Sequence, residues 1–167
     1  GGGPLAPSTF RLFNQLGIDF VQGYGLTETA PIAALNPVEK YKETSVGKII
    51  PHVDVKIVDK DANGVGEILI KGPIVTKGYY KNREETKEAF TEDGYFKTGD
   101  LGYLDSDNYL YLSGRKKSMI VTEGGKNVYP EEIEFFLGKS PFILESLILG
   151  QPVESSGGGE EIKAVIV

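Results

Sequence analysis

The sequence predicts a chain of mixed α/β and α+β character with a small antiparallel β-barrel at its centre. Three observations carry this. A helix-period segment leads straight into an apolar run between Pro7 and Val21. Period-two alternation and turn signals fill the stretch from Val53 to Leu112. A proline-led, acid-rich helix pattern followed by two strand candidates begins at Pro130. An α-then-β step is typical of layered α/β domains, and several short strands between turns suggest a barrel or curled sheet.

The elements follow in order. Pro7 to Leu16 places Phe10, Phe13 and Leu16 at helical spacing, with Gly17 as the stop. Ile18-Asp19-Phe20-Val21 reads as a buried strand. Periodicity is lost after Pro31 until Val46, with a turn at Asn36-Pro37. Val53, Val55 and Ile57 then share one face, and Ile68 and Ile70 share one side of the return strand Glu67–Lys71. Together they predict an antiparallel hairpin around Asp61-Ala62-Asn63-Gly64. Asn82 caps a short helix whose first turn carries Glu84 and Glu85.

Beyond Asp93-Gly94, short strands are expected at Tyr95–Lys97, Leu101–Leu104 and Tyr109–Leu112. Met119–Thr122 and Asn127–Tyr129 flank Glu123-Gly124-Gly125-Lys126 as a second hairpin. Pro130 suits a first helical position, and Ile133, Phe136 and Leu137 supply an apolar stripe. Ser146–Leu149 and Ile162–Val167 complete the strand candidates. The pattern changes near Lys117, which places a domain boundary at about that residue.

Composition narrows the chemistry. The 167 residues are 40% hydrophobic and 25% charged, ordinary for a soluble protein. A net charge of −6 without a basic patch argues against nucleic acid as a partner. No cysteine is present, so thiolate chemistry and disulfides are excluded, and a cytoplasmic setting fits. The single histidine, His52, stands alone and reads as a structural or surface residue, not a zinc ligand. No apolar run is long enough to span a bilayer.

The most informative stretch is Gly23-Tyr24-Gly25-Leu26-Thr27-Glu28-Thr29. Glycines on either side of Tyr24 allow a sharp turn and close approach of a ligand, and the ring offers a flat face to a base. Thr27 and Thr29 can donate to phosphate oxygens. Glu28 can bind Mg²⁺, which takes one or two carboxylates together with phosphate oxygens. A strand end with a polar turn is the plainer alternative. In Lys97-Thr98-Gly99-Asp100, the aspartate can accept from the hydroxyls of a ribose, or be a turn aspartate. In Gly114-Arg115-Lys116-Lys117, Arg115 can bridge ribose and phosphate, or belong to a solvated basic turn. Gly124-Gly125-Lys126 lacks the spacing and the Ser or Thr of a phosphate-binding loop.

Taken in order, Gly1-Gly2-Gly3-Pro4-Leu5, Gly23 to Thr29, Gly66-Glu67 to Gly72-Pro73, Lys97 to Asp100, Gly114-Arg115 and Gly125-Lys126-Asn127-Val128-Tyr129-Pro130-Glu131-Glu132-Ile133-Glu134 form one series. It closely resembles the adenylate-forming enzymes, and its last run looks most like long-chain fatty acid–CoA ligases. The resemblance implies ATP (or AMP), Mg²⁺ and CoA as cofactors and a fatty acid as substrate. It places Tyr24 against the adenine, with Gly25 beside it, Thr27 at the α-phosphate and Glu28 on the Mg²⁺. It assigns Asp100 to the ribose with Arg115 next to it. Gly2 and Gly3 match backbone positions near the adenine and acyl pocket. Lys117 matches a hinge, and Gly124 and Gly125 match a loop facing the CoA tunnel.

On this resemblance, residues 1–45 are a remnant of a large-domain α/β core, 46–116 its β-barrel subdomain and 117–167 the start of an α+β C-terminal domain. The family's phosphate loop and C-terminal lysine would lie before Gly1 and after Val167. The expectation is therefore a fragment, inactive alone, with either disorder in residues 1–45 or a dimer covering exposed apolar surface. Peripheral membrane contact is expected only of the parent. Two rivals stand beside it: adenylation of an amino or aryl acid, and a non-catalytic module binding a nucleotide or a partner.

Overall fold

A computed structural model describes residues 7–153 and 158–167. The chain divides into two compact units, Gly1–Thr98 with Gly102–Leu112, and Gly99–Leu101 with Ser113–Val167.

In the first unit, helix α1 (Pro7–Gln15) ends as a glycine-terminated helix should. Gly17 takes φ +75°, its N–H donates to the Asn14 carbonyl, and the Ile18 N–H reaches back to Phe13. Phe10 is fully buried against Phe20 and Tyr41, whereas Leu16 is 66% exposed and leaves the expected stripe.

The expected strand at Ile18–Val21 is not formed. Its backbone turns on itself, Phe20 N–H to the Ile18 carbonyl, and the Phe20 ring stacks on Phe13. Phe20 covers the helix, Ile18 is 48% exposed, and the run joins no ladder. Pairing begins just beyond, with β1 (Gly23–Tyr24) and β2 (Ala34–Leu35).

Further strands are β3 (Gly47–Ile49), β4 (Asp54–Val58), β5 (Gly66–Lys71), β6 (Phe96–Leu104) and β7 (Tyr109–Arg115). They form one sheet in the order β1-β2-β3-β7-β6-β5-β4. The predicted hairpin is β4–β5, with Val55 opposite Ile70 and Ile57 opposite Ile68. Those side chains meet Tyr24, Ala33, Ala34 and Leu110 in the unit's hydrophobic core. The hydrogen-bonded order has two ends, β1 and β4, so among the described residues no ladder closes the sheet on itself. The expected strands at 95–97 and 101–104 are one strand, β6, which absorbs Gly99 at φ +69° and continues. Between β5 and β6, helix α2 (Arg83–Ala89) is capped as predicted, Asn82 Oδ1 accepting from the Glu85 N–H at 3.1 Å.

In the second unit, β8 (Ile120–Val121) and β9 (Asn127–Val128) pair antiparallel. Helix α3 (Pro130–Leu137) starts on its proline. Strands β10 (Ser146–Pro152) and β11 (Glu160–Ile166) pair in register from Ser146–Ile166 to Pro152–Glu160. Leu101, Ile120, Tyr129 and Ile148 are among its buried apolar side chains. Glu134 Oε1 accepts from the Ile148 N–H at 2.8 Å, tying α3 to β10. Phe136, expected in the buried stripe, is 67% exposed. Among the described residues, no helix is long and apolar enough to cross a membrane.

Candidate functional site

The Gly23–Thr29 motif is shaped by close backbone packing. A Cβ on Gly25 would fall 1.8 Å from the Pro31 carbonyl oxygen, so only glycine fits there. Tyr24 is 8% exposed and part of the first unit's core. Its backbone carbonyl accepts from the Ala33 N–H at 2.7 Å. Thr27–Thr29 forms one 3₁₀ turn.

The two threonines separate in role. Thr29 is fully buried, and its hydroxyl accepts from the Leu26 N–H at 2.8 Å and donates to the Leu26 carbonyl at 3.0 Å. It fastens the turn and is not a phosphate donor, contrary to the expectation from sequence. Thr27 is exposed.

Glu28, between them, is half-buried. Its Oε1 accepts from the Tyr79 hydroxyl at 3.1 Å, and its carbonyl accepts from the Thr76 N–H at 2.8 Å. Burial first, and then the bond to Glu28, hold the Tyr79 hydroxyl above the usual tyrosine range, so it remains a donor. No group of three or more His, Cys, Asp or Glu side chains able to hold a metal exists among the described residues. One carboxylate with an oxygen to offer suits Mg²⁺, which is completed by phosphate oxygens and water in nucleotide sites.

In the second unit, Arg115 Nε lies 3.0 Å from Asp100 Oδ1. The carboxylate side chain is 9% exposed and the guanidinium side chain 61%. Both residues stand on strands, Asp100 within β6 and Arg115 ending β7. Asp100 is therefore not the turn residue of the plainer reading, while Arg115 ends its strand and opens the turn that follows, its carbonyl accepting from the Ser118 and Met119 N–H groups. The adjacent turn is held by the Lys116 N–H donating to the Gly99 carbonyl at 2.8 Å. Gly114 makes room for the Glu131 carboxylate, whose Oε2 would lie 2.6 Å from a Cβ added there.

Lys117 is exposed in the turn after β7. Gly124 and Gly125 form the β8–β9 turn, Gly125 at φ +71° with open space around both. Gly2 and Gly3 lie outside the described residues. Tyr79 was not singled out from sequence. The available signal was an aromatic residue after Gly78 and just ahead of the Asn82 cap.

The AMP-binding enzyme family matches residues 1–80. Long-chain-fatty-acid–CoA ligase FadD15 of Mycobacterium bovis is 41% identical over 150 residues, 90% of this chain and 24% of that protein. Indoleacetate–CoA ligase of Aromatoleum aromaticum is 41% identical over 174 residues, 99% of this chain and 33% of that protein. Among solved structures, ATP-bound MatB from Rhodopseudomonas palustris superposes with TM-score 0.85 at 36% identity, covering 99% of this chain and 34% of that one. O-succinylbenzoate coenzyme A synthetase (MenE) from Bacillus subtilis, in complex with ATP and magnesium ion, gives TM-score 0.83 at 32% identity over 99% of this chain and 35% of that one. The chain thus spans a quarter to a third of the length of these curated relatives. With the glycine-framed turn, the carboxylate behind it and the Asp100–Arg115 pair already in place, these matches mark the chain as a member of the AMP-binding, adenylate-forming enzyme family.

Proposed function

We propose that the protein containing this chain uses ATP to activate a carboxylic acid as an acyl adenylate and then passes the acyl group to CoA. The Asp100–Arg115 pair carries the reading: a largely buried carboxylate beside an exposed guanidinium is a polar grip for a ribose and its neighbouring phosphate. Thr27 would hold the α-phosphate, and Tyr24 and Gly25 would line the adenine side. Gly2 and Gly3 would continue that side, and Gly124 and Gly125 would face CoA. Glu28 would hold Mg²⁺, which supplies charge neutralisation of the phosphates. Catalysis is then positioning plus electrostatic stabilisation of charge at the α-phosphate.

The acid is assigned as a fatty acid, on the likeness of Gly125–Glu134 to long-chain ligases. The equal identity to the indoleacetate ligase favours an aryl acid as the second reading. The test is acid-dependent ATP–pyrophosphate exchange by the full-length protein across saturated fatty acids and aryl acids, followed by thioester formation with CoA. Exchange and thioester with fatty acids support the first reading. Exchange with aryl acids alone selects the second. Exchange with neither overturns both.

A further inference from the structure

We propose that Tyr79 is a positioning residue that fixes the Glu28 carboxylate for a divalent cation; this rests on the reading of Glu28 given above. The residues are 51 positions apart, and the Tyr79 hydroxyl donates to Glu28 Oε1 at 3.1 Å. The same segment holds the backbone of Glu28, through the Thr76 N–H donating to its carbonyl at 2.8 Å. Residue 28 is therefore gripped twice, once at its backbone carbonyl and once at its carboxylate.

The tyrosine is itself anchored. Its N–H donates to Thr86 Oγ1 at 2.9 Å, and that hydroxyl donates to the Asn82 carbonyl at 2.6 Å. Gly78 lets the chain pass tightly over Thr86: at φ +139°, an added Cβ would come 2.4 Å from Thr86 Cγ2. The support thus runs from the capped start of α2 through Thr86 and Tyr79 to Glu28.

The chemistry of the donor decides what the grip is for. A lysine or arginine in this place would neutralise the carboxylate. A phenol orients it and leaves the negative charge intact. It also occupies one oxygen, while Glu28 Oε2 makes no hydrogen bond among the described residues. One tethered oxygen and one unengaged oxygen is the arrangement of a monodentate cation ligand. Outer partners of this kind orient ligating groups and typically matter about 10- to 100-fold in metal affinity.

The test is Mn²⁺ binding to the full-length enzyme, read by electron paramagnetic resonance with α,β-methylene-ATP present. Tyr79→Phe keeps the ring and removes the hydroxyl. Mn²⁺ affinity in the ternary complex should fall about 10-fold, and the Mg²⁺ concentration for half-maximal exchange should rise alongside, with the KM for the acid unchanged. Unaltered Mn²⁺ affinity would overturn the inference and leave Tyr79 as a strut for the loop. If Tyr79→Phe does not fold, Thr86→Val decides, since it frees the tyrosine backbone; weakened Mn²⁺ binding supports the inference and unchanged binding overturns it. Glu28→Gln separates the two levels. Loss of Mn²⁺ binding there, with Tyr79→Phe neutral, defeats only the present inference. Full binding in Glu28→Gln defeats the reading of Glu28 itself.

Discussion

Lys42 Nζ lies 2.6 Å from Asp105 Oδ2, although the two residues are 63 positions apart. Asp105 is saturated by acceptance. Its other oxygen takes the N–H groups of Asp107 and Tyr109, each at 2.9 Å, and Oδ2 also takes the Tyr111 hydroxyl. One carboxylate therefore shapes the β6–β7 turn and ties it to the segment before β3. Lys42 also reaches Asp107 at 2.8 Å, and Tyr109 donates its hydroxyl to the Lys40 carbonyl.

The Lys42 hydrogen bond, foremost, lowers the Asp105 carboxyl to about 2. Its folded value lies below the unfolded one, so its contribution is present above the ordinary aspartate range of about 3.9 and is lost as pH falls through about 2. Lys42 is raised, chiefly by its bond to Asp105, so its part is complete below the usual lysine value and lost only at higher, strongly alkaline pH. Lys42→Met should return the Asp105 carboxyl partway to the usual range, the backbone N–H bonds remaining. A carboxyl ¹³C titration by NMR checks this. Asp93, lowered to about 2 by Lys56, is the internal control and should not move. An unmoved Asp105 would show that the turn alone sets its acidity.

Much of this fold is legible in sequence because its signals are local. The Asn82 cap, the Pro130 helix start, the Gly17 stop and the β4–β5 hairpin each depend on residues within a few positions. Ile18–Val21 misleads because apolar content does not say whether a run pairs or packs, and Phe20 chose the α1 helix. Gly99 misleads because a positive φ usually ends a strand, whereas β6 continues through it. Of the candidate site, the residue types are readable in the motifs. The Tyr79–Glu28 bond is not, since nothing in either segment points 51 positions away.

Gly25 is a steric prediction. The Cβ of Gly25→Ala would meet backbone, the Pro31 oxygen at 1.8 Å and its carbon at 2.6 Å, and backbone cannot swing aside as a side-chain tip can. The turn from β1 to β2 must open, displacing Thr27–Thr29. Overpacking of this kind costs about 1–3 kcal/mol. Chemical denaturation should report that loss, and the full-length variant should lose nucleotide affinity with it. A stable variant with native affinity would show that the turn tolerates opening.

Asp100 is an electrostatic prediction. Asp100→Asn keeps the side-chain shape on β6 and removes the charge that faces Arg115 at 3.0 Å. Charge-assisted hydrogen bonds are about twice as strong as neutral ones, so ATP–pyrophosphate exchange in the full-length protein should rise in KM for ATP by about 10-fold. Arg115 is 61% exposed, so water takes over its solvation and thermal stability should change little. An unchanged KM for ATP would remove Asp100 from the nucleotide site.

Lys117 is the proposed hinge, and its setting suits one. It is exposed in the turn after β7, and its N–H donates no hydrogen bond among the described residues. The turn is closed by its neighbours, with the Ser118 and Met119 N–H groups both donating to the Arg115 carbonyl at 3.0 and 3.1 Å. Backbone angles can change at such a position without breaking a ladder, as hinges require. Lys117→Pro therefore removes no backbone bond of its own and fixes φ near −65°. It also restricts Lys116, the residue before it. In the full-length protein the two half-reactions should part. Adenylation, measured by ATP–pyrophosphate exchange, should persist, while thioester formation from preformed acyl adenylate should fall at least about 10-fold because the conformational step is gated. A control, Lys117→Ala, keeps φ free and should spare both steps. Equal loss of both half-reactions in Lys117→Pro would show that the turn supports the fold and is no hinge, and loss in Lys117→Ala would assign the effect to the amine.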